Sequence, residues 1–197
     1  EFIKGKKVIH IDIDPSEISK NIPAYVALLG NVKTVLQQLM AELEQRRRPA
    51  WRQALQAIKD SPDSRLEMPP GQLNPETVIK AVRRHASDNT VVCTDVGQHQ
   101  MWTAQYYNFS QPRTFITSGG LGTMGFGMGA AIGACFGTGR RKTILFTSDG
   151  SFHMNMNELA TAVSNQLPLV IVLLNNNALG MVRQWQTMFF EQRYSNT

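Results

Sequence analysis

Two oxygen-bearing side chains, Asp149 and Asn176, stand 27 positions apart (176 minus 149), each at the end of a short apolar run. A strand, helix and strand fit this interval and would bring the carboxylate and the amide oxygen side by side. Both are hard oxygen ligands of the kind that suits Mg²⁺, which also prefers substrate phosphates to an all-protein cage. The backbone N–H groups of Gly150 and Ser151, opening a helix that we expect to begin near residue 155, could receive a diphosphate. The pair therefore predicts a site for Mg²⁺ and a diphosphate group.

Polar or glycine-rich clusters follow four apolar runs in the second half of the chain. The runs span residues 90–94, 114–117, 142–147 and 169–174, and the clusters are DVGQHQ (95–100), SGGLGTMG (118–125), SDGSF (148–152) and NNNALGM (175–181). Continuously apolar runs are typical of parallel strands buried on both faces. The pattern predicts an α/β fold, a doubly wound, mostly parallel sheet with helices on both faces. Ligands bind such sheets beyond the carboxyl ends of the strands, where the four clusters would meet.

The first part of the chain predicts a piece of a second α/β domain. A β-rich run at 8–14 precedes apolar residues at helical spacing over 32–43. One strand and one helix cannot cover each other's apolar faces, so we expect residues 1–45 to be the C-terminal fragment of that domain. Residues 46–74, rich in proline, predict a linker with a short helix near 50–59. The main domain is expected over 75–197, truncated at its end and opening on a helix capped by Asn74.

Composition excludes several classes of protein. The net charge of +5 comes with only one dense basic run, Arg46 to Arg48, which ends at Pro49 and is typical of a solvated helix end, so no nucleic-acid partner is expected. No run approaches the roughly 18 apolar residues of a membrane span, and no signal-peptide pattern is present, which predicts a cytoplasmic protein. Cys93 and Cys135 lack metal or redox spacing and are expected to be buried and reduced.

The motifs resemble those of thiamine diphosphate-dependent enzymes, which share a G-D-G sequence followed later by N-N. SDGSF and LLNNN are similar to this pair, with Ser148 in place of the first glycine. DVGQHQMW, SGGLGTMGFGMGAAIGA, SFHMNMNELATA and LGMVRQWQ resemble the versions in acetolactate synthase (acetohydroxyacid synthase), and the likeness runs from about Val8 to the last residue. The chain is thus similar to the C-terminal part of the large catalytic subunit of that family.

The resemblance implies specific roles at the cofactor. Mg²⁺ would be bound by the side chains of Asp149 and Asn176 and by the backbone carbonyl of Ala178. Met124 would be a wedge beneath the thiazolium ring, and Gly122 would offer its carbonyl to the aminopyrimidine. The residues expected to contact thiamine diphosphate are Val96, Gly97, Gln98, His99, Gly122, Thr123, Met124, Asp149, Gly150, Ser151, Asn176, Ala178, Gly180 and Met181.

The resemblance also implies a reaction and partners. The family decarboxylates pyruvate on thiamine diphosphate and transfers the hydroxyethyl group to a second pyruvate or to 2-oxobutyrate, giving 2-acetolactate or 2-aceto-2-hydroxybutyrate for branched-chain amino acid biosynthesis. Met181 and Trp185 would line the substrate pocket. Asp12, Asn31 and Val32 match positions that contact FAD, although Asn31 stands where an aspartate is usual.

The implied assembly is a homodimer or homotetramer whose active site lies between subunits, with a possible small regulatory subunit. In this family a glutamate from a different, N-terminal domain of the neighbouring subunit activates the cofactor. The glutamates of this chain do not sit in a matching context, so the chain alone is expected to be inactive.

Other interpretations remain open from the sequence alone. Gly120, Gly122 and Gly125 form a G-x-G-x-x-G motif, which suits a dinucleotide-binding oxidoreductase but leaves the other three clusters unexplained. A regulatory or scaffold module with an inactivated fold would require loss of the metal ligands, which are present. Met124 and Trp185 would ordinarily be packing residues. Glyoxylate carboligase and pyruvate oxidase belong to the same class, but LGMVRQWQ favours acetolactate synthase.

Overall fold

A computed structural model describes residues 3–61 and 73–195. The chain divides into two compact units, Glu1–Arg65 and Leu66–Thr197. Residues 62–72, which belong to the predicted linker, lie outside the described residues. Within the described ranges, no helix combines the length and apolar character that crossing a bilayer requires.

The described residues of the first unit form two parallel strands and two helices. Its elements are β1 (Ile9–Asp12), β2 (Val26–Leu29), α1 (Val32–Glu42) and α2 (Pro49–Lys59). The strands pair in register from Ile9↔Val26 to Asp12↔Leu29. The predicted strand and both predicted helices are confirmed. Strand β2 was missed, because the periodicity of a run as short as VALL does not separate strand from helix.

In the second unit, the residues that the structure describes form a four-stranded parallel sheet with helices between its strands. Its elements are α3 (Pro75–Arg84), β3 (Val91–Thr94), α4 (Gln98–Tyr106), β4 (Phe115–Ile116), α5 (Phe126–Gly137), β5 (Thr143–Ser148), α6 (Asp149–Asn155), a 3₁₀ turn (Met156–Glu158), α7 (Leu159–Ser164), β6 (Leu169–Leu174) and α8 (Gly180–Phe189). The strand order is β4-β3-β5-β6, and every pairing is parallel. The predicted α/β fold with a parallel sheet is confirmed.

Successive residues of β3 and β5 pack into two separate cores, one on each face of the sheet. Val91, Cys93 and Leu145 pack on one face with Met128 and Ala131 of α5. On the other face the core consists of Val92, Ile144, Phe146, Tyr107 and Ile79 of α3. Burial on both faces explains the continuously apolar runs. Cys93 and Cys135 are buried and unbridged, as expected.

The helix after β5 begins earlier than the sequence suggested. We expected it near residue 155, but α6 begins at Asp149, directly after the extended Ser148. The unpaired N–H groups at a helix N-terminus favour an acidic residue in the first turn. This preference is stronger here than the turn propensity of the residues SDGS. Gly150 and Ser151 therefore lie in the first turn of α6.

Candidate functional site

A cavity of about 760 Å³ lies where the four strands of the second unit end. Residues following β3, β4 and β6 and the last residue of β5 line it, so the four clusters meet as predicted. Of the residues singled out from the sequence, the lining includes Val96, Gly97, Gln98, His99, Gly122, Met124, Asn176, Gly180, Met181 and Trp185. Thr123, Asp149, Gly150, Ser151 and Ala178 lie outside that lining. Residues that line the cavity without having been predicted include Trp102, Leu179, Val182, Gln186, Phe190 and Arg193.

The two predicted metal-binding side chains follow paired strands. Ser148 of β5 is in register with Leu174 of β6. Asp149 lies one position after Ser148 and Asn176 two positions after Leu174, so both follow the same end of the paired strands. One carboxylate oxygen of Asp149 (Oδ1) is buried and has no hydrogen-bond partner among the described residues. A buried polar atom without a hydrogen-bond partner is costly, and a cation bound to Oδ1 would offset that cost. The donor set thus fits Mg²⁺.

The side-chain oxygen of Asn176, unlike Oδ1 of Asp149, has a hydrogen-bond partner nearby in the chain. It accepts a hydrogen bond from the backbone N–H of Ala178 at 3.2 Å. An amide oxygen has two lone pairs, so one remains for a metal ion. The described residues contain no group of three or more His, Cys, Asp or Glu able to hold a metal. That finding is compatible with the predicted set, which has one carboxylate, one amide and one backbone carbonyl.

The hydroxyl of Ser151 connects α6 to the loop after β3. Ser151 is buried, and its Oγ donates to the carbonyl of Val96 at 2.8 Å. The hydroxyl is therefore engaged within the protein, whereas the predicted diphosphate contact was with backbone N–H groups of the first turn. This hydrogen bond fixes the distance between the first turn of α6 and one wall of the cavity.

His99 is a neutral imidazole in the cavity wall. It is 2% exposed, and its Nε2 finds no hydrogen-bond partner among the described residues. Burial lowers the pKa of His99 to about 4, although the nearby carboxylates of Asp95 and Asp149 oppose that shift. The imidazole is hydrogen-bonded to the backbone of Asp95, and Nε2 is the nitrogen left without a partner, so Nε2 is the atom that His99 can offer to a ligand.

The beginning of α8 packs against the beginning of α4. The Nε2 of Gln98 donates to the Oε1 of Gln184 at 3.0 Å. A Cβ on Gly180 would collide with Gln98 Oε1 and lie 2.5 Å from Asn176 Nδ2. The glycine allows the side chains of Gln98 and Asn176 to approach α8 this closely, which brings the segments after β3 and β6 together at the cavity.

A buried carboxylate that sequence reasoning missed holds the glycine-rich loop. Asp95, directly after β3, is 2% exposed and accepts hydrogen bonds from the backbone N–H groups of Gly125 and Gly127, both at 2.9 Å. Gly122 and Gly125 have φ angles of 62° and 89°, which favour glycine. Met124, between them, is half-buried in the cavity wall. An acidic residue at the end of a buried strand was the available signal.

The predicted substrate-binding side chains belong to α8. Met181 and Trp185 both line the cavity. Trp185 is 59% exposed, so it does not anchor the core, and it packs edge-on against Phe189 with ring centroids 6.0 Å apart. Among the described residues that line the cavity, Arg193 carries a permanent charge and could attract an anion.

The residues predicted to contact FAD lie at the carboxyl edge of the small sheet in the first unit. Asp12 ends β1, and Asn31 and Val32 follow β2 at the same edge. The Oδ1 of Asn31 accepts from the N–H of Lys33 at 3.0 Å and so caps α1. An asparagine caps a helix as well as an aspartate does, which explains locally why Asn31 is tolerated.

Comparison with known proteins identifies two family matches. The family described as "Thiamine pyrophosphate enzyme, C-terminal TPP binding domain" matches residues 95–197. The family described as "Thiamine pyrophosphate enzyme, central domain" matches residues 1–39. The first match contains every residue of the cavity wall.

Curated relatives agree with these matches. The chain is 44% identical to the acetolactate synthase isozyme 1 and isozyme 2 large subunits of Escherichia coli (strain K12), over 98% and 100% of this chain. It is 41% identical to the acetolactate synthase large subunit of Corynebacterium glutamicum over 100% of this chain. These alignments cover 34%, 35% and 32% of the relatives, so the chain spans about a third of their length. On this evidence the chain belongs to the thiamine pyrophosphate enzyme family and contains its C-terminal cofactor-binding domain.

Proposed function

We propose that this chain forms the cofactor-binding part of an acetolactate synthase, a transferase that joins pyruvate to a second pyruvate or to 2-oxobutyrate. The observation that carries the proposal is the cavity at the four strand ends, beside which Asp149 holds a buried, unpartnered carboxylate oxygen. The identity of 44% with acetolactate synthase large subunits, over nearly the whole chain, supports the choice within the thiamine class.

The proposed metal ligands and diphosphate contacts come from two neighbouring strand ends and from α4. Asp149, Asn176 and the carbonyl of Ala178 would hold Mg²⁺, and the N–H groups of Gly150 and Ser151 would receive the diphosphate. Gln98 and His99 would contact the same end of the cofactor. When bound, thiamine diphosphate supplies a carbon nucleophile and an electron sink for decarboxylating a 2-oxo acid.

Side chains of the chain itself would shape the rest of the cavity. Gly122 and Met124 would contact the rings of the cofactor from the glycine-rich loop. Leu179, Val182 and Phe190 would give part of the cavity an apolar wall, although they are 37–51% exposed in this chain. Met181 and Trp185 would border the pocket for the second 2-oxo acid.

Further features of the proposal concern FAD, assembly and location. FAD would lie against Asp12, Asn31 and Val32 at the edge of the small parallel sheet. Asp12 is in register with Leu29, two residues before Asn31, so the three residues belong to the same edge. The active enzyme would be a homodimer or homotetramer with a possible regulatory subunit, as the resemblance implies, and would work in the cytoplasm.

The direct test is calorimetric titration of the chain with thiamine diphosphate in the presence and absence of Mg²⁺, and separately with NAD. We expect binding of thiamine diphosphate that disappears when EDTA removes the metal, and no binding of NAD. Metal-independent binding of NAD with no response to thiamine diphosphate would favour the oxidoreductase interpretation of Gly120, Gly122 and Gly125 instead.

Trp185→Leu is expected to change acceptor choice more than overall turnover in the active assembly that contains this chain. An indole against the acceptor can distinguish one methylene group by packing, an effect of about 1–3 kcal/mol. The preference for 2-oxobutyrate over pyruvate should therefore fall roughly 10-fold or more. The measurement is the ratio of the two products when both acceptors compete, with Met188→Leu on the same helix as control. An unchanged product ratio would rule out this role for Trp185.

The 197-residue chain by itself is expected to produce no acetolactate. The cavity lining given by the described residues contains no glutamate, whereas the family requires one against the aminopyrimidine ring. A colorimetric acetoin assay with pyruvate, Mg²⁺ and excess thiamine diphosphate measures this, and added authentic acetolactate verifies the colour reaction. Clear turnover by the chain alone would show that the required acid lies within it.

A further inference from the structure

We propose that Asp95 and Asn155, here called the loop clasp, are positioning residues that hold the glycine-rich loop against the rings of the bound cofactor. The inference rests on the proposed function, because it concerns Gly122 and Met124 as ring contacts. It adds two residues to which neither the motifs nor the family match gives a role.

Asp95 forms the first half of the loop clasp. Its carboxylate accepts from the N–H groups of Gly125 and Gly127 at 2.9 Å, and from its neighbour Val96 at 2.8 Å. Hydrogen bonds to an ionised acceptor are stronger than neutral ones, and the N-terminus of α5 favours a negative charge. A Cβ on Gly127 would lie 2.8 Å from the backbone nitrogen of Asp95, so the backbone of Asp95 packs against α5 with no room for a side chain at Gly127.

Asn155 forms the second half of the loop clasp, because it binds the other polar backbone group of Gly125. Its Nδ2 donates to the carbonyl of Gly125 at 2.6 Å. Both polar backbone groups of Gly125 are thus held by side chains, one from Asp95 directly after β3 and one from Asn155 at the end of α6. Gly125 is buried and has a left-handed backbone, and Met124 precedes it directly. Fixing Gly125 therefore fixes the direction from which Met124 enters the cavity.

The loop clasp is connected to the metal end of the site through α6. This helix begins at Asp149 and ends at Asn155, and Ser151 within it donates to Val96, the residue after Asp95. Four hydrogen bonds, two to Asp95, one from Asn155 and one from Ser151, thus tie together the segments that follow β3, β4 and β5. Loss of the loop clasp should release the glycine-rich loop while leaving Asp149 in place.

This geometry predicts unequal effects on two ligands that share a diphosphate. Mg²⁺-pyrophosphate reports only the metal end, whereas Mg²⁺-thiamine diphosphate also reports contacts to the rings. Asp95→Asn replaces one acceptor oxygen with an amide that faces N–H donors, and Asn155→Ala leaves the Gly125 carbonyl without its partner. We expect each change to weaken thiamine diphosphate binding about tenfold, and pyrophosphate binding less than about twofold.

The experiment is calorimetric titration of both ligands with the unaltered chain, the two variants and Asn165→Ala. Asn165 is the matched control, because its Nδ2 also donates to a backbone carbonyl, that of Thr161 at 2.9 Å, but at an exposed helix end away from the cavity. Amide hydrogen exchange of Gly125 and Gly127 in the unliganded chain gives a second readout, and protection should fall in Asp95→Asn. Asn155→Ala keeps the test available if Asp95→Asn does not fold.

The possible outcomes separate this inference from the proposed function. If the unaltered chain binds neither ligand, the proposed function fails and the positioning role fails with it. If the unaltered chain binds both ligands, three results would each overturn the positioning role alone. The variants could lose the same affinity for both ligands, or they could lose none. The unaltered chain could also bind pyrophosphate as tightly as thiamine diphosphate, which would mean that the rings make no contact.

Discussion

Asp149→Ala is expected to lower the affinity of the chain for Mg²⁺-thiamine diphosphate by at least about a hundredfold. Losing a residue that only hydrogen-bonds to a metal ligand already costs about 10- to 100-fold in metal affinity, and loss of the ligand itself should cost more. Asp149 is the only charged ligand in the proposed set, and the remaining amide and carbonyl oxygens do not neutralise a divalent cation. Asp149→Asn keeps an oxygen ligand and should retain part of the affinity. Calorimetric titration at several Mg²⁺ concentrations measures both changes.

The same substitution should change the stability of the unliganded chain only a little. It removes the desolvation cost of one buried, unpartnered oxygen, but it also removes the negative charge that favours the N-terminus of α6. The melting temperature of Asp149→Ala without ligand is therefore expected to stay within about 4 °C of that of the unaltered chain. Asp88→Ala, which removes an exposed carboxylate outside the cavity, is the control and should leave cofactor affinity unchanged. Undiminished binding by Asp149→Ala at low Mg²⁺ would disprove the metal assignment.

Gly127→Ala is expected to lower the free energy of unfolding by about 3 kcal/mol, the upper part of the usual range for overpacking. The new methyl group would lie 2.8 Å from the nitrogen and 2.9 Å from the Cα of Asp95. These are backbone atoms at the end of a central strand, so neither a rotamer change nor a small side-chain shift relieves the contact. For a chain of this size the melting temperature should fall by roughly 6–12 °C, as thermal unfolding followed by circular dichroism would detect.

Gly129→Ala is the matched control on the same helix. A Cβ there meets nothing within 4 Å, and alanine is the better helix former, so stability should rise by about 0.5–1 kcal/mol. Opposite signs at two glycines of α5 would show that the contact with Asp95, and not helix propensity, decides the result. A gain in stability for Gly127→Ala would contradict the packing described between α5 and β3.

The sequence was informative where a local pattern alone determines structure. Strands β3 and β5 were visible as continuous apolar runs, because burial on both faces of a sheet requires them. Strand β6 has the same kind of run, although its Val170 and Leu173 are exposed in this chain. The end of each strand could be located within a residue or two, which placed Asp149 and Asn176 at the same edge. The short strand β2 and the start of α6 were not predicted correctly, since VALL and SDGS are compatible with more than one local structure.

Contacts between a side chain and backbone groups far away along the chain could not be predicted from the sequence. Asp95 binds N–H groups of Gly125 and Gly127, 30 and 32 positions away, and a backbone N–H has no signature in the residue types. The apolar part of the cavity was underestimated for a similar reason. Trp102 and Phe190 have the composition of ordinary packing residues, and only the meeting of α4 and the end of α8 brings them into one wall.

The strand order has a consequence for where a ligand can bind at all. Helix α4, which follows β3, packs on one face of the sheet through Trp102 and Tyr106, whereas α6, which follows the neighbouring β5, packs on the other through Phe152. The chain therefore leaves adjacent strands in opposite directions, and a crevice must open between them, the topological switch point of the sheet. Its position is a property of the connectivity. Substitutions can alter what this crevice selects, or abolish binding, but they cannot move it to another part of the fold.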